Sequence, residues 1–389
     1  MQNNKLIALF AVIIGPISGL GIDIFVPSLP AITQHFLASS SQVQLSVGLY
    51  ILGYSVFQTV WGTLSDSFGR RPMILIGLIG VMLCCLLIPF SINIEMLLVL
   101  RFLQGVFVEP IGLLARTLLS DTYQGEELKK YSTYMTITWS IGPIIAPFIG
   151  GYLQHYFGWQ ASFFFLAAYS LILLLFALKW LPETHYNRSP LSFTHVAAAY
   201  KQVFTHRLFL SSIAILSLIY GTMAIFNVAG PFLIQTTLKY SAIVFGRAAL
   251  LLGVAWFLGS FFNRWLNIRY STQQIATGSI FLLIVSTVLL LITSFFTLNL
   301  WNLLLPIFFV FFAGAIVFGN FFAYSVSLFT ANAGAASAVM GTLFVGGAGI
   351  ISTFSSLLPT QTALPLAVSY IAIVFVIVVM YSLIYRKIK

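Results

Sequence analysis

The sequence has very little charge. Of its 389 residues only 7% are Asp, Glu, Lys or Arg, whereas 60% are hydrophobic. A soluble domain carries roughly a quarter charged residues. A soluble chain of this length would have no polar coat, so the composition excludes that class. Between Tyr270 and Tyr385 the chain has no Asp, Glu, Lys, Arg or His over 116 residues.

Several chemical signatures are also missing. The two cysteines, Cys84 and Cys85, are adjacent, which excludes a disulfide framework. The phosphate-cradling sequence G-x-x-x-x-G-K-[ST] does not occur. The five histidines lack metal-ligand spacing. We expect no enzyme activity, no cofactor and no metal site. The basic residues are scattered over short loops, so we expect no nucleic-acid partner.

What the sequence has instead is long apolar runs separated by short polar turns. A membrane-spanning helix needs about 20 apolar residues. The number and length of the apolar runs predict an all-α membrane protein with about twelve transmembrane helices. The predicted spans are 6–30, 42–62, 73–91, 96–119, 131–152, 161–180, 209–230, 242–262, 273–294, 300–323, 336–357 and 365–385.

The hydrophilic connections predict two halves. The longest connection divides the chain into a six-helix half at 1–181, a cytoplasmic linker at 182–207 and a second six-helix half at 208–389. A weak internal echo supports duplication, because Gly62–Arg71 and Gly259–Arg269 each follow the second span of a half and share glycine and basic residues. Paired halves are a known transporter plan.

The basic residues predict the orientation. Lys and Arg concentrate in cytoplasmic loops. With the N-terminus inside, 15 of the 18 basic residues fall on the cytoplasmic side, two (Lys239 and Arg247) fall outside, and Arg101 lies within a span. We therefore expect both termini to be cytoplasmic.

The stretch Gly62–Pro72, GTLSDSFGRRP, resembles the loop 2–3 signature of the major facilitator superfamily. Its glycine would permit close helix approach, and its aspartate can accept charge-assisted bonds from basic side chains. The resemblance implies a cytoplasmic gate motif; the alternative is a solvated turn. The motif residues are Gly62, Asp66, Gly69, Arg70 and Arg71.

Other stretches narrow the resemblance to the Bcr/CflA-type multidrug/proton antiporters. They are Asp23–Ile32 in the first span, Leu100–Gly105 in the fourth, Ala115–Arg116 with Asp121, and Leu181–Thr184 after the sixth. The fifth span resembles the antiporter motif through Gly142, Pro143, Pro147, Gly150 and Gly151. The resemblance implies the major facilitator fold and a bacterial cytoplasmic (inner) membrane protein.

Acidic residues are scarce, and none follows Glu183. Only Asp23 and Glu109 lie well inside spans, where a charged group is costly and usually faces a cavity or a partner. If a carboxylate couples transport to protons, these two are the candidates. The alternatives are that Asp23 is a structural partner of Arg101 and that Glu109 pairs with Arg116 or a lysine as a cytoplasmic gate.

One stripe of the fourth span carries charge. At 100° per residue, Gly105, Glu109, Gly112 and Arg116 all lie within 80° of Arg101. We assign Arg101, Arg116 and Gln104 as cavity partners of the carboxylates. As substrate contacts we assign Tyr50, Phe226, Asn227, Asn320 and Tyr324; the alternative for the aromatic residues among them is an ordinary lipid or core contact.

The first functional hypothesis is a proton-coupled exporter of amphipathic small molecules, such as drugs or an endogenous metabolite or siderophore. The second is a nutrient importer, a proton symporter, which the antiporter motif disfavours. The third is a transporter-like sensor or a lipid flippase without coupled transport. The expected partners are the small-molecule substrate, protons and the lipid bilayer, with a monomer as the functional form.

Overall fold

A computed structural model describes residues 2–186, 188, 206–328 and 333–388. Over these residues the regular structure is helical throughout, without a β-strand. The chain divides into two compact units, Met1–Ala198 and Ala199–Lys389. The predicted linker 182–207 falls largely on residues 187 and 189–205, outside the described part.

The first unit contains nine α-helices among its described residues. They are α1 (Gln2–Ile14), α2 (Ile17–Asp23), α3 (Leu29–Phe36), α4 (Ser40–Val56), α5 (Gln58–Phe68), α6 (Arg70–Leu87), α7 (Ile94–Thr122), α8 (Gly125–Phe157) and α9 (Gln160–Trp180). A short 3₁₀ turn at Val26–Ser28 joins α2 to α3, and another at Ile88–Phe90 follows α6.

The second unit contains six α-helices over its described residues. They are α10 (Arg207–Pro231), α11 (Ala242–Arg269), α12 (Thr272–Ser294), α13 (Leu300–Ser327), α14 (Ala333–Ser355) and α15 (Leu364–Ile388). A π-helical segment, Phe232–Thr237, extends α10.

The described helices agree with the predicted spans in position but are less regular. Ten helical segments are long and apolar enough to cross a membrane, or eleven when α4 and α5, bent by 41°, count as one span. The first span is the broken run Asn4–Phe36. The predicted span 336–357 falls on α14, whose apolar part with described side chains, Val339–Ser355, is shorter than a full span.

Each unit uses the same scheme of helix pairing. In the first unit α4 packs on α7, α6 packs on both α7 and α9, and α2 packs on α8. In the second unit α11 packs on α13, α12 packs on both α13 and α15, and α10 packs on α14. When the spans are numbered within each unit, the second span packs on the fourth, the third packs on the fourth and sixth, and the first packs on the fifth in both units. The repeated pairing supports the duplication that the sequence echo suggested.

Glycines at these crossings let the backbones meet. A Cβ added at Gly105 of α7 would collide with the backbone carbonyl of Tyr50 in α4. A Cβ at Gly259 of α11 would collide in the same way with the carbonyl of Phe312 in α13. Small residues allow this close approach in membrane proteins, where lipid provides no hydrophobic drive between helices.

Three prolines, one between α1 and α2 and two inside helices, leave backbone carbonyls that side chains on neighbouring helices satisfy. Proline lacks an N–H, so the carbonyl four residues earlier loses its helical partner, and in a bilayer no water replaces it. Pro16, Pro110 and Pro306 each create such an oxygen. These oxygens are Val12 O, 2.9 Å from Thr138 Oγ1; Val106 O, 2.8 Å from Trp61 Nε1; and Asn302 O, 3.1 Å from Thr293 Oγ1.

Candidate functional site

Arg101 is buried inside the first unit. Its side chain is fully buried in α7, and its guanidinium carbon lies 3.9 Å from the ring centroid of Phe25 and 4.3 Å from that of Tyr50. Its Nη1 donates to the Gly21 carbonyl at 3.1 Å and to Gln104 Oε1 at 2.5 Å. Aromatic faces and carbonyl dipoles thus hold a cation deep in an apolar interior.

Asp23, the last residue of α2, is buried within electrostatic reach of this cation. Its carboxylate interacts electrostatically with Arg101 and with Tyr50. The Tyr50 hydroxyl donates to the Ser18 carbonyl at 3.1 Å. The structure therefore brings together four of the residues that the sequence singled out: Asp23, Tyr50, Arg101 and Gln104.

Glu109 lies two turns further along α7 and is also fully buried. Within the described part of the chain, neither carboxylate oxygen has a partner in ordinary hydrogen-bonding geometry. The Tyr54 hydroxyl is near enough to form a looser side-chain hydrogen bond with it, and the Arg116 guanidinium acts on it electrostatically. A carboxylate buried in this way is costly unless a proton or a cation accompanies it.

Arg116 itself lies on an aromatic face. Its guanidinium carbon is 4.2 Å from the ring centroid of Trp139 in α8. The Trp139 indole N–H donates to the Ser18 hydroxyl at 3.0 Å. Since the Ser18 carbonyl accepts from Tyr50, Ser18 connects the surroundings of Arg101 with those of Arg116.

A small space lies over Gly112, between Glu109 and Arg116 on the same helix. A Cβ added at Gly112 would be 3.6 Å from the Tyr54 hydroxyl oxygen, 3.7 Å from Trp139 Cζ2 and 3.9 Å from Ser18 Oγ. These are ordinary van der Waals distances. The methyl group of an alanine would therefore fit here without displacing its neighbours.

Arg70, from the predicted gate motif, is the centre of an ionic network. Its Nη1 donates to Asp66 Oδ1 at 2.5 Å and to Ser65 Oγ at 2.8 Å. Its Nε donates to Asp121 Oδ2 at 3.3 Å. Asp121 also accepts from the Thr184 hydroxyl at 3.0 Å. The network joins α5, α6, α7 and the segment after α9.

Glu183 caps the start of α6. Its carboxylate accepts from the backbone N–H of Arg70 at 2.9 Å and of Arg71 at 3.2 Å. A carboxylate at a helix N-terminus satisfies free N–H groups and complements the helix dipole. The residues are 113 positions apart, so the Leu181–Thr184 motif helps to close the first unit.

The two glycines of the gate motif behave differently from each other. Gly69 has φ +103°, and a Cβ there would collide with the Glu183 carboxylate. A Cβ at Gly62 would lie 3.7 Å from Leu113, an ordinary contact. The expected close approach at Gly62 is therefore wrong, and Gly69 is the position that requires glycine.

The predicted antiporter motif packs α8 against the broken first span. Four of its residues are buried in α8: Gly142, Pro147, Gly150 and Gly151. A Cβ at Gly150 would collide with the carbonyl of Ile24. A Cβ at Gly19 would lie 2.8 Å from the ring of Pro143. The motif thus sets how closely α8 approaches the helix that carries Asp23.

The predicted substrate contacts of the second unit lie in different surroundings. Phe226 is buried and stacks on Phe245, with ring centroids 6.0 Å apart, and meets Phe311 edge-on at 6.1 Å. Asn227 and Tyr324 are half-buried. Their substrate-contacting role stays a prediction.

Asn320 belongs to a cluster of amides. Its Nδ2 donates to Asn263 Oδ1 at 2.9 Å, and Asn267 Nδ2 donates to the same oxygen at 3.0 Å. In the two stretches of the internal echo, Gly62–Arg71 and Gly259–Arg269, Asn263 occupies the place that Asp66 has in the first. Where the first unit has an ionic network, the second thus has uncharged amides.

Sequence reasoning missed three contributors to this site. Ser18 and Tyr54 are ordinary residues within apolar helices, and nothing in the pattern distinguishes them from packing residues. Glu183 belongs to a recognised motif, but its capping role depends on α6 and could not be read from its own segment. No group of three or more His, Cys, Asp or Glu residues that could hold a metal occurs among the described residues.

Comparisons with known proteins agree with this architecture. A family model described as Major Facilitator Superfamily matches residues 11–353. The chain is 28% identical to multidrug resistance protein D of Escherichia coli over 92% of this chain and 90% of that protein. It is 25% identical to a bicyclomycin resistance protein homolog of Haemophilus influenzae, over 98% of this chain and 97% of that protein.

A solved structure is similar in fold. It is a bacterial homolog of the human lysosomal transporter Spinster, inward-facing and occupied, with TM-score 0.75 and 15% identity over 99% of this chain and 97% of that chain. The predicted fold class and the predicted resemblance are confirmed. The matching family consists of transporters rather than enzymes. With its multiple apolar spans, the chain is therefore a multi-pass membrane protein that belongs to the major facilitator superfamily.

Proposed function

We propose that this transporter exports amphipathic small molecules in exchange for protons by alternating access. The relatives named for multidrug and bicyclomycin resistance support export. The antiporter motif supports it from within the chain, because Gly150 and Pro143 pack tightly on the first span. Drugs and endogenous metabolites such as siderophores both fit this class of substrate.

The observation that carries the proton coupling is the burial of Asp23 within electrostatic reach of Arg101. A nearby cation favours an ionised carboxylate, whereas burial favours the neutral one. These opposing effects allow a modest change in the surroundings to load or release a proton. Arg101 is held by Phe25, Tyr50 and the Gly21 carbonyl, so Asp23 is the partner that changes state.

Further parts of the proposal concern organisation. The halves are residues 1–181 and 208–389, joined by a cytoplasmic linker at 182–207, with both termini cytoplasmic in a bacterial inner membrane and a monomer as the working form. The Asp66–Arg70–Asp121 network latches the cytoplasmic ends of the first half in one state of the cycle. The basic-residue asymmetry of 15 to two supports this orientation.

The test uses everted membrane vesicles that carry an acidic interior and a fluorescent pH probe. Addition of an exported substrate from a panel of amphipathic compounds should make protons leave the vesicles. The Asp23→Asn variant should abolish this release, because the asparagine cannot carry a proton, while retaining measurable substrate binding.

The control is Glu126→Gln, a change at an exposed carboxylate, which should leave proton release unchanged. Proton release by the Asp23→Asn variant at the wild-type rate would remove Asp23 from the coupling. Substrate uptake with protons, in the same direction, would replace the exporter with an importer.

A further inference from the structure

The second unit has many basic residues and no acidic ones. Its sequence, 199–389, contains nine Lys and Arg residues and no Asp or Glu. In the first unit, by contrast, Arg70 has Asp66 and Asp121 as ionic partners. No carboxylate side chain of the second unit can balance its cations in this way, so their counter-charge has to come from outside this unit.

Two of these cations, Arg264 and Arg269, lie at the end of α11, and both are exposed. In an α-helix, residues five positions apart lie about 140° apart around the axis and about 7.5 Å apart along it. Because an arginine side chain is long and extends away from its helix, both guanidinium groups can reach one phosphate group between them. The planar guanidinium fork also matches the oxygens of a phosphate.

Aromatic rings hold Arg269 in position. Its guanidinium carbon lies 4.7 Å from the ring centroid of Trp265. Trp265 stacks on Phe262 with centroids 5.2 Å apart, and Phe262 contacts the ring of Phe312 in α13 at 5.8 Å. The stack orients this cation without neutralising it. A guanidinium on an aromatic face keeps the N–H groups along its edge for an anion.

The exposed face between the two arginines is apolar. Phe261 is 67% exposed and Ile268 is 79% exposed, and both lie between Arg264 and Arg269 around the helix axis. On a helix long and apolar enough to cross a membrane, such a face contacts lipid acyl chains. Tryptophan is enriched at the depth of the lipid headgroups. The partly exposed Trp265 therefore indicates that the two arginines lie at headgroup depth.

We propose that the end of α11 binds an anionic phospholipid, with its phosphate between Arg264 and Arg269 and one acyl chain along Phe261 and Ile268. A zwitterionic lipid also has a phosphate, but the arginines repel its ammonium group, and the second unit has no carboxylate side chain to attract it. The site should therefore prefer phosphatidylglycerol to phosphatidylethanolamine. This proposal does not depend on what the protein transports.

The test measures lipid binding to the full-length protein, purified in detergent, by native mass spectrometry. The probes are phosphatidylglycerol and phosphatidylethanolamine with identical palmitoyl and oleoyl chains. One basic side chain favours a nearby anionic headgroup about fivefold. Two arginines should therefore give the wild-type protein a preference for phosphatidylglycerol of at least about tenfold. Glycerol phosphate, which has the phosphate without acyl chains, should compete only in large excess.

Three double variants locate the preference. Arg264→Gln with Arg269→Gln should reduce it to less than about twofold, whereas Arg264→Lys with Arg269→Lys keeps the charge and should retain most of it. The control is Lys129→Gln with Lys130→Gln, which removes the same charge from two exposed lysines of the first unit, one of them paired with Glu126. It should keep the wild-type preference. All three change exposed side chains, so their melting temperatures should match the wild-type value.

Several results would overturn the proposal. Equal binding of the two lipids to the wild-type protein, or a preference that survives in the arginine-to-glutamine variant, would exclude the site. An equal loss of preference in the lysine control would assign it to net charge. Competition by glycerol phosphate at the concentration of the lipid would assign the arginines to a free phosphate. A dimer that excludes lipid and is lost in the arginine-to-glutamine variant would assign the exposed face to a second copy of the chain.

Discussion

Variants at Trp61 and Pro110 can measure how much the hydrogen bond to a proline-freed backbone carbonyl stabilises the protein. Pro110 removes the helical partner of the Val106 carbonyl, and the Trp61 indole N–H donates to that carbonyl at 2.8 Å. The Trp61→Phe variant should therefore leave a buried acceptor unsatisfied. In the Pro110→Ala background the restored N–H of residue 110 can satisfy the same oxygen, so the loss of the indole should cost less.

The expected difference is about 1 kcal/mol. An unsatisfied buried acceptor costs about 1–3 kcal/mol in soluble proteins, whereas hydrogen bonds between membrane helices average about 0.6 kcal/mol with a maximum near 1.7. The packing of Trp61 against Phe107 is lost on Trp61→Phe in both backgrounds, and the packing of Pro110 near Gly77 is lost on Pro110→Ala whichever residue is at position 61. It therefore cancels in the double-mutant cycle.

The assay is reversible unfolding in mixed dodecyl maltoside and SDS micelles, followed by far-ultraviolet circular dichroism. Trp61→Phe should destabilise the protein that retains Pro110 by about 1 kcal/mol more than it destabilises the Pro110→Ala variant. The control is Trp265→Phe in both backgrounds, which should show no coupling because Trp265 lies in the other unit. Equal effects of Trp61→Phe in the two backgrounds would refute the reasoning.

Two further changes test packing and capping. Gly150→Leu should lower the melting temperature and block transport, because the leucine side chain would meet the Ile24 carbonyl. The control Gly278→Ala, at a position with open space around it, should change neither. Wild-type melting of the leucine variant would show that α8 does not approach the first span so closely. Glu183→Gln should destabilise the protein by about 1 kcal/mol, since a neutral amide caps α6 less well than a carboxylate, and unchanged unfolding in the same micelles would exclude the cap.

The sequence predicted the features that depend on composition along the chain. Apolar runs located the spans, and the GTLSDSFGRRP and antiporter stretches identified the family. The scarcity of acidic residues also pointed to Asp23 and Glu109, both of which are buried in the structure. These inferences hold because the length of a span, and the cost of a charge within it, depend only on that segment and on the lipid around it.

The partners of those segments could not be predicted in the same way. The bond from Arg70 N to Glu183 depends on where α6 begins relative to the end of α9, across 113 residues. Ser18 looks like any small residue in a span, although its hydroxyl and its carbonyl serve two different helices. The role of Gly62 was mistaken for a similar reason, because a glycine does not reveal how near its neighbour lies.

The carbonyls freed by proline acquire their partners at different times during synthesis. The Asn302 oxygen finds Thr293 only nine residues away, and the Val106 oxygen finds Trp61 across 45 residues, with the tryptophan already made. The Val12 oxygen needs Thr138, made 126 residues later. At about 5–20 residues per second, the ribosome takes roughly 6 to 25 s to reach it. We therefore expect the first span to enter the bilayer before the final partner of this backbone oxygen has been made, with water, lipid headgroups or the insertion machinery as the temporary donor.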